Sequence, residues 1–438
     1  MSESERLPLV AGDPPALSSA AARAQAQASA QADAGSGQAS SVSSALNLAN
    51  NVIGAGLLSL PLAMADSSVA GGLTAMALVG MASGVSLVTL ARCCDAAGAF
   101  EYRALGRAAY GERFGVAVQL AMLWYTAGSL ISYTVLIGDF VPAFADAYLP
   151  DGSAARHVLT QRAAVMAIVG ATVLFPLSLV RKLDALKWAS ALALAGIAYT
   201  TFVIVWHLSP ANLAAREPGL DRHVVWAAPR AEALAAAPLL CVAFTSHYNA
   251  PRYYMELRDR SPRRMAMVTT GAFVICFAVY AACAVCGYAY AGDALKHSSD
   301  PGDILTAYGN SDVTAAVARL LLAAAVALSF PLVFSATRAS VHALLWPKRE
   351  MTSTMALGYS LLIVPTAVGV GIAVPEVNVV LGWNGALFGV PVVFLFPGLM
   401  SWRLHGPSAS AAALVGFGAL CMAAGVAGNA AKAAHVWD

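Results

Sequence analysis

Charge is scarce in this chain. Asp, Glu, Lys and Arg make up 11% of its 438 residues, where a soluble domain carries about 25%. That excludes an ordinary soluble domain, and a net charge of +2 leaves no basic surplus for nucleic acid. The Asn-x-Ser/Thr glycosylation signal is absent throughout. A Gly-rich phosphate loop ending in Lys-Ser/Thr, a HExxH pair and a serine-nucleophile elbow are also missing. An enzyme, or ATP-driven transport by this chain alone, is therefore not expected, and neither is a cofactor. The segments expected to face the non-cytosolic side lack cysteine, so no extracellular disulfide is expected. Cys283-x-x-Cys286 has metal-like spacing but lies in an apolar run, where two small core residues are the expectation. Cys93-Cys94, at a span end, is a weak signal for S-palmitoylation. Residues 1–44 lack aromatics and any secretory signal pattern. They read as a disordered cytosolic tail; plugging of a pathway or regulation is the alternative role.

What is present is apolar sequence, 59% of the chain. A bilayer span takes about 20 such residues. That ruler gives spans at 45–66, 70–92, 114–140, 163–180, 187–207, 231–256, 266–291, 314–337, 352–374, 377–402 and 408–430. The expected class is an all-α polytopic membrane protein with about eleven transmembrane helices. With the N-terminus in the cytosol, the cytosolic loops hold twice as many Lys and Arg as the opposite loops, which sets that orientation. The organisation is then a tail at 1–44, a membrane domain at 45–430 and a short non-cytosolic tail at 431–438. The link Glu101–Gly111 reads as a short surface helix in the headgroup region. The basic loop Arg252–Arg264 reads as a topology anchor, with anionic-lipid binding as the alternative.

The first span departs from an ordinary lipid-facing helix. It carries Asn47, Asn50 and Asn51, then Gly54-Ala55-Gly56 and Pro61. Polar groups and broken helices at membrane depth are tolerated where they line a cavity. The three asparagines share one helix face; they read as ion or substrate contacts, or alternatively as glue between helices. Gly54, Ala55 and Gly56 offer an unwound turn whose N–H groups, at the positive end of a half-helix, suit a carboxylate. Close helix packing by a small-x-small pair is the alternative. Span six repeats the theme with Pro238, Thr245-Ser246-His247-Tyr248-Asn249 and Pro251. Unwinding near Thr245 and Ser246 exposes carbonyls suited to an ammonium group or cation. His247 is either a hydrogen-bonded structural residue or a proton carrier and gate. Ser329 on span eight offers a hard oxygen to a small cation, or bonds back to its own helix. Interrupted segments at corresponding places in two halves point to an inverted-repeat transporter.

These motifs together resemble the amino acid/auxin permease family, near its sodium-coupled neutral amino acid transporters. The resemblance lies in Asn47 through Leu60, Tyr102–Gly111, Phe175-Pro176-Leu177-Ser178-Leu179, Phe244-x-x-His247 with Tyr254-x-Glu256-Leu257, Pro331 with Arg338, and Gly382 through Gly398. It implies a LeuT-like 5+5 inverted repeat with helices 1 and 6 broken. It also implies symport of a neutral L-amino acid with sodium or protons, by a monomer in the plasma membrane or a vacuolar or lysosomal membrane. The substrate carboxylate would meet the backbone of Gly54, Ala55 and Gly56, and its amino group Ala243, Phe244 and Ser246. Sodium would sit between Asn50, the Ile53 carbonyl and Ser329. Ser329 stands where sodium-coupled relatives often have threonine, Ala327 lacks an oxygen, and Asp66 stands where the family often has asparagine. A receptor of the same fold that senses amino acids with little flux is the alternative function.

Overall fold

The computed structural model describes residues 37, 39–180, 187–214, 222–230, 232–297, 303–309, 311–347, 349–374 and 376–434. Most of the tail at 1–44, the end of the chain, and Arg181 and Lys182 of the expected cytosolic loop therefore lie outside the described residues. Among those described, the regular secondary structure is helical apart from one isolated parallel bridge between Ala39 and Leu257.

The elements follow the apolar runs. The first helix, α1 (Ser41–Val52), is joined by a 3-10 turn, Ala55–Ser59, to α2 (Leu60–Ser67). It begins at Ser41 rather than at residue 45, because Ser40 Oγ accepts from the Ser43 N–H and caps its free end. Then come α3 (Val69–Ala97), α4 (Tyr102–Tyr110) and α5 (Glu112–Tyr148). Next are α6 (Arg162–Ser178), which contains a π turn at Gly170–Leu174, and α7 (Lys187–Trp206). The second interrupted element is α8 (Ala233–Ala243) and α9 (Ala250–Glu256). After it run α10 (Pro262–Ala291), α11 (Val313–Leu345), α12 (Ser353–Ala373), α13 (Val377–His405) and α14 (Ala409–Ala433).

Seven of the described helices, α3, α5 and α10 to α14, are long and apolar enough to cross a membrane. The pair Ser41–Val52 and Gly56–Ser67, bent by 61°, makes an eighth if counted as one span. Helices α6 and α7 are apolar but shorter. Ends are set by capping. Oxygens of Ser261, Asp312, Thr352 and Ser408 accept from the first turns of α10, α11, α12 and α14. At the other end of α3, Gly98 adopts the left-handed conformation (φ 60°) that closes a helix without steric cost.

Packing divides the helices into two groups. Helix α10 lies along α1, α2 and α3, with α8 against α2 and α3. Helix α5 lies along α11, α6 and α12, with α7 against α11. The expected surface helix is α4; it buries Tyr102, Leu105, Gly106 and Ala109 against the bundle. Cys93 and Cys94 are fully enclosed, which corrects the palmitoylation reading, since a modifiable thiol has to be reached. Cys283 is also buried and directs its thiol to Thr201 Oγ1 at 3.4 Å. The segment ahead of α1 is fastened to the end of α9. The Ala39 N–H donates to Glu256 O (3.3 Å) and the Arg258 N–H to Ala39 O (3.1 Å). A Cβ on Gly37 would fall 2.6 Å from Glu256 O, so only glycine fits there.

Candidate functional site

The first break follows directly from its glycines. Helical hydrogen bonding stops at Val52; Ile53 turns to φ −76°, ψ 109° and Gly54 is fully extended at φ −131°, ψ −171°. The chain resumes as a tight turn in which the Leu57 N–H donates to Gly54 O at 3.1 Å. Pro61 then sits in the first turn of α2, where a missing N–H costs nothing. A Cβ placed on Gly54 or on Gly56 would meet nothing within 4 Å. Open space therefore lies against this stretch of peptide.

The second break is built from short polar residues. Helix α8 stops at Ala243; Phe244 and Ser246 leave helical geometry at φ −100°, ψ 20° and φ −141°, ψ 9°. Thr245 Oγ1 donates back to Cys241 O at 2.6 Å and so occupies one carbonyl freed by the interruption. A 3-10 turn over His247–Asn249 leads to α9, whose first turn holds Pro251. Both interruptions expected from the sequence are thus present, at the expected residues.

One side chain of α10 joins them. The hydroxyl of Tyr280 lies 2.8 Å from Val52 O and 2.8 Å from Ala243 O, the last carbonyls of α1 and α8. Its ring meets Phe244 edge-on at 5.3 Å. Phe244 itself is fully buried, with Phe273 at 5.5 Å and Gly80 beneath it. The Phe244 ring is therefore a packing element, and what it can offer a ligand is its backbone.

Around the breaks, several buried polar atoms have no hydrogen-bond partner: Asn51 Oδ1, Ser246 Oγ, His247 Nδ1, Ser83 Oγ and Thr269 Oγ1. Native interiors rarely leave such atoms unpaired unless water or a ligand serves them. His247 is completely buried, and its Nε2 donates to Ser83 O at 3.2 Å, which leaves Nδ1 as the acceptor. Nearby, Tyr125 of α5 packs against Tyr248 with ring centres 6.0 Å apart. Asn384 Nδ2 donates to Tyr125 O (3.0 Å), while its Oδ1 is buried and unpaired. Asn384 stands where α13 widens into π turns at Gly385–Gly389 and Pro391–Leu395, a distortion common at functional sites.

The six residues expected at the substrate all lie at the two breaks: Gly54, Ala55 and Gly56 at the first, Ala243, Phe244 and Ser246 at the second. The three expected at the cation are placed differently. Asn50 is half-buried in the last turn of α1 and Ile53 is buried at the break. Ser329 is half-buried on α11, whose main neighbours are α5 and α7. Among the described residues, no hydrogen bond joins Ser329 to α1.

A cluster of charges that the sequence did not reveal covers one end of α2. Arg230 grips Asp293 through both oxygens (2.9 and 2.6 Å) and donates to Ala65 O at 2.7 Å. Tyr288 also donates to Asp293 (2.9 Å), and Lys296 pairs with Glu232 at 3.3 Å. The hydrogen bond to Asp293 raises the Arg230 pKa above its ordinary value. Asp66, at the end of α2, is paired with Lys432 of α14. Asp66 therefore has a structural partner at a helix end. Sequence spacing carries no signal for pairs this far apart in the chain.

The model of the family described as "Transmembrane amino acid transporter protein" matches residues 37–434. Sodium-coupled neutral amino acid transporter 7 of Rattus norvegicus is 29% identical over 416 residues, covering 88% of this chain and 85% of that one. The Bos taurus protein of the same name is 28% identical over 388 residues, with 82% and 78% covered. Amino acid transporter AVT6C of Arabidopsis thaliana is 25% identical over 389 residues, with 85% and 88% covered. Several apolar helices, two of them interrupted elements that meet at one hydroxyl, accompany this likeness along nearly the whole chain. The protein is an integral membrane protein that belongs to the transmembrane amino acid transporter family.

Proposed function

We propose that the protein is a secondary active transporter that carries a neutral L-amino acid together with sodium or protons by alternating access. The observation that carries this reading is the pair of interrupted helices brought together at Tyr280, with open space beside Gly54 and Gly56. The substrate carboxylate binds the N–H groups at Gly54, Ala55 and Gly56, at the positive start of the following half-helix. The amino group binds beside Ala243, Phe244 and Ser246, at oxygens other than the Ala243 carbonyl, which already accepts from the Tyr280 hydroxyl. Asn50, the Ile53 carbonyl and Ser329 hold the coupling cation once the two helix groups close on each other. His247 acts at the inner wall of the site as a gate or proton carrier. The names of the relatives favour sodium.

In this reading the chain spans the bilayer eleven times with its N-terminus in the cytosol. The two broken elements each open one half of a LeuT-like 5+5 repeat, and α14 is the eleventh span. The division into a group around α10 and a group around α5 and α11 supplies the two bodies that rock. The molecule acts as a monomer, in the plasma membrane or an acidic organelle.

Uptake into proteoliposomes tests the proposal. The common amino acids are offered at two pH values, with and without a sodium gradient. Accumulation of a neutral amino acid that collapses with one of the gradients supports it. Saturable binding without accumulation would favour a sensing receptor, and indifference to both gradients would remove symport.

A further inference from the structure

The carbonyls of Val52 and Ala243 are not ordinary backbone groups. Each ends the first half of an interrupted helix, where the last carbonyls lose their intrahelical partners and carry the negative end of the helix dipole. Two such ends aimed at one point, deep in a low-dielectric interior, form a site that attracts a small cation, since hard cations take oxygen ligands. In this protein the point is already filled. The Tyr280 hydroxyl lies 2.8 Å from each carbonyl, and the side chain is 1% exposed. The ring is fixed by Phe244, edge-on at 5.3 Å. One turn earlier on the same helix, the Cys276 thiol faces Ala49 O at 3.9 Å, so that this face of α10 meets the end of α1 with weak, neutral donors.

A hydroxyl has one proton to give. With two carbonyls at equal distance, the O–H hydrogen bond is shared between them or swings from one to the other. It binds both helix ends without any net charge.

We infer that Tyr280 stands in for a cation: its hydroxyl closes the carbonyl pair of Val52 and Ala243 to ions and thereby determines how many cations the transporter takes with its substrate. The inference rests on the transport reading and deepens it. Any coupling ion is confined to another place, and the two breaks stay linked whether or not an ion is bound. Removing the hydroxyl leaves two desolvated carbonyls with no donor, which a small cation can then satisfy.

The test compares the full-length chain with Tyr280→Phe, which deletes the hydroxyl and keeps the ring. Uptake of a radiolabelled neutral amino acid into proteoliposomes is measured against sodium, lithium and choline at fixed pH. In parallel, the unfolding temperature of each purified protein is followed in detergent as sodium is raised with no amino acid present. The expected result is a new cation response in the variant. Sodium should tighten its apparent substrate affinity roughly fivefold or more beyond the effect in the parent, and sodium alone should stabilise the variant more than the parent. Tyr280→Leu provides a second hydroxyl-free protein if the phenylalanine variant folds poorly. A variant with the parent's cation dependence in both measurements overturns the inference, even where its maximal rate has fallen, because that is the behaviour of a purely structural hydrogen bond. Failure of the parent itself to accumulate any amino acid overturns the transport reading instead.

Discussion

The ammonium of Lys432 donates to the carboxylate of Asp66 at 2.7 Å, tying the last described helix to the second half of the first. The Asp66 side chain is 2% exposed and that of Lys432 38%. A carboxylate this deep is tolerated because it is paired. Lys432→Ala should therefore destabilise the protein by about 1–3 kcal/mol, less than a fully buried pair because the lysine is partly hydrated. Adding Asp66→Asn should recover most of the loss, since no charge is then left stranded. Heat denaturation in detergent of the two single variants and the double variant gives the coupling. Strictly additive losses would show that the two groups do not support each other.

Gly56→Val addresses the substrate. The structure leaves open space where the new Cβ would go, so the unfolding temperature should stay close to that of the parent. The added methyls occupy the space assigned to the carboxylate, so amino acid binding should weaken by roughly tenfold or more. Isothermal titration with the transported amino acid reads the effect. Unaltered affinity would move the carboxylate away from this turn.

Asp312 predicts a pH dependence. Burial opposes its ionisation, but bonds from the Thr314 hydroxyl, the Ala315 N–H and His207 outweigh it, and its pKa falls below 3.8. A depressed carboxyl stabilises the fold fully above its unfolded value and loses that contribution as pH falls through the folded one. Asp312→Ala removes the cap of α11 and should cost about 1 kcal/mol at neutral pH. The gap between parent and variant should close once the pH is well below 3.8. A gap that persists unchanged at pH 2.5–3, roughly one unit lower, would assign the stabilisation to something other than the ionised carboxylate.

Gly287 reports on the contact between α10 and α2. A Cβ there would lie 2.5 Å from Pro61 Cγ and 3.0 Å from Ile304 Cγ1. Neither neighbour is a flexible chain end, so Gly287→Ala should cost about 1–3 kcal/mol by overpacking. Chemical denaturation of the purified protein measures it. A neutral effect would mean that the two helices separate easily.

The interruptions were legible because their causes are local. Gly54, Gly56 and Pro61 in one run, and Thr245 through Pro251 in the other, disfavour continuous helix wherever they occur. The ion pair of Arg252 with Glu256, one turn apart at 2.9 Å, is of the same local kind. Tyr280 was not legible. A tyrosine in an apolar run looks like any other core aromatic, and its role depends on where two distant helix ends happen to point. The same holds for Asp66 and Lys432. Asp66 read as a departure from the family's usual asparagine, and the fold gives it a lysine partner. The π turns of α6 and α13 were also hidden, since their extra residues shift the buried face without changing the composition.

Residues 37 and 39–40 splice the entry to α1 onto the far end of α9. A pull on the polypeptide ahead of Gly37 is therefore delivered to the second interrupted helix as directly as to the first. Because the splice is made of main-chain bonds, a change of side chain at Ala39 leaves it in place. Anything that grips the N-terminal stretch acts on both hinges in a single motion.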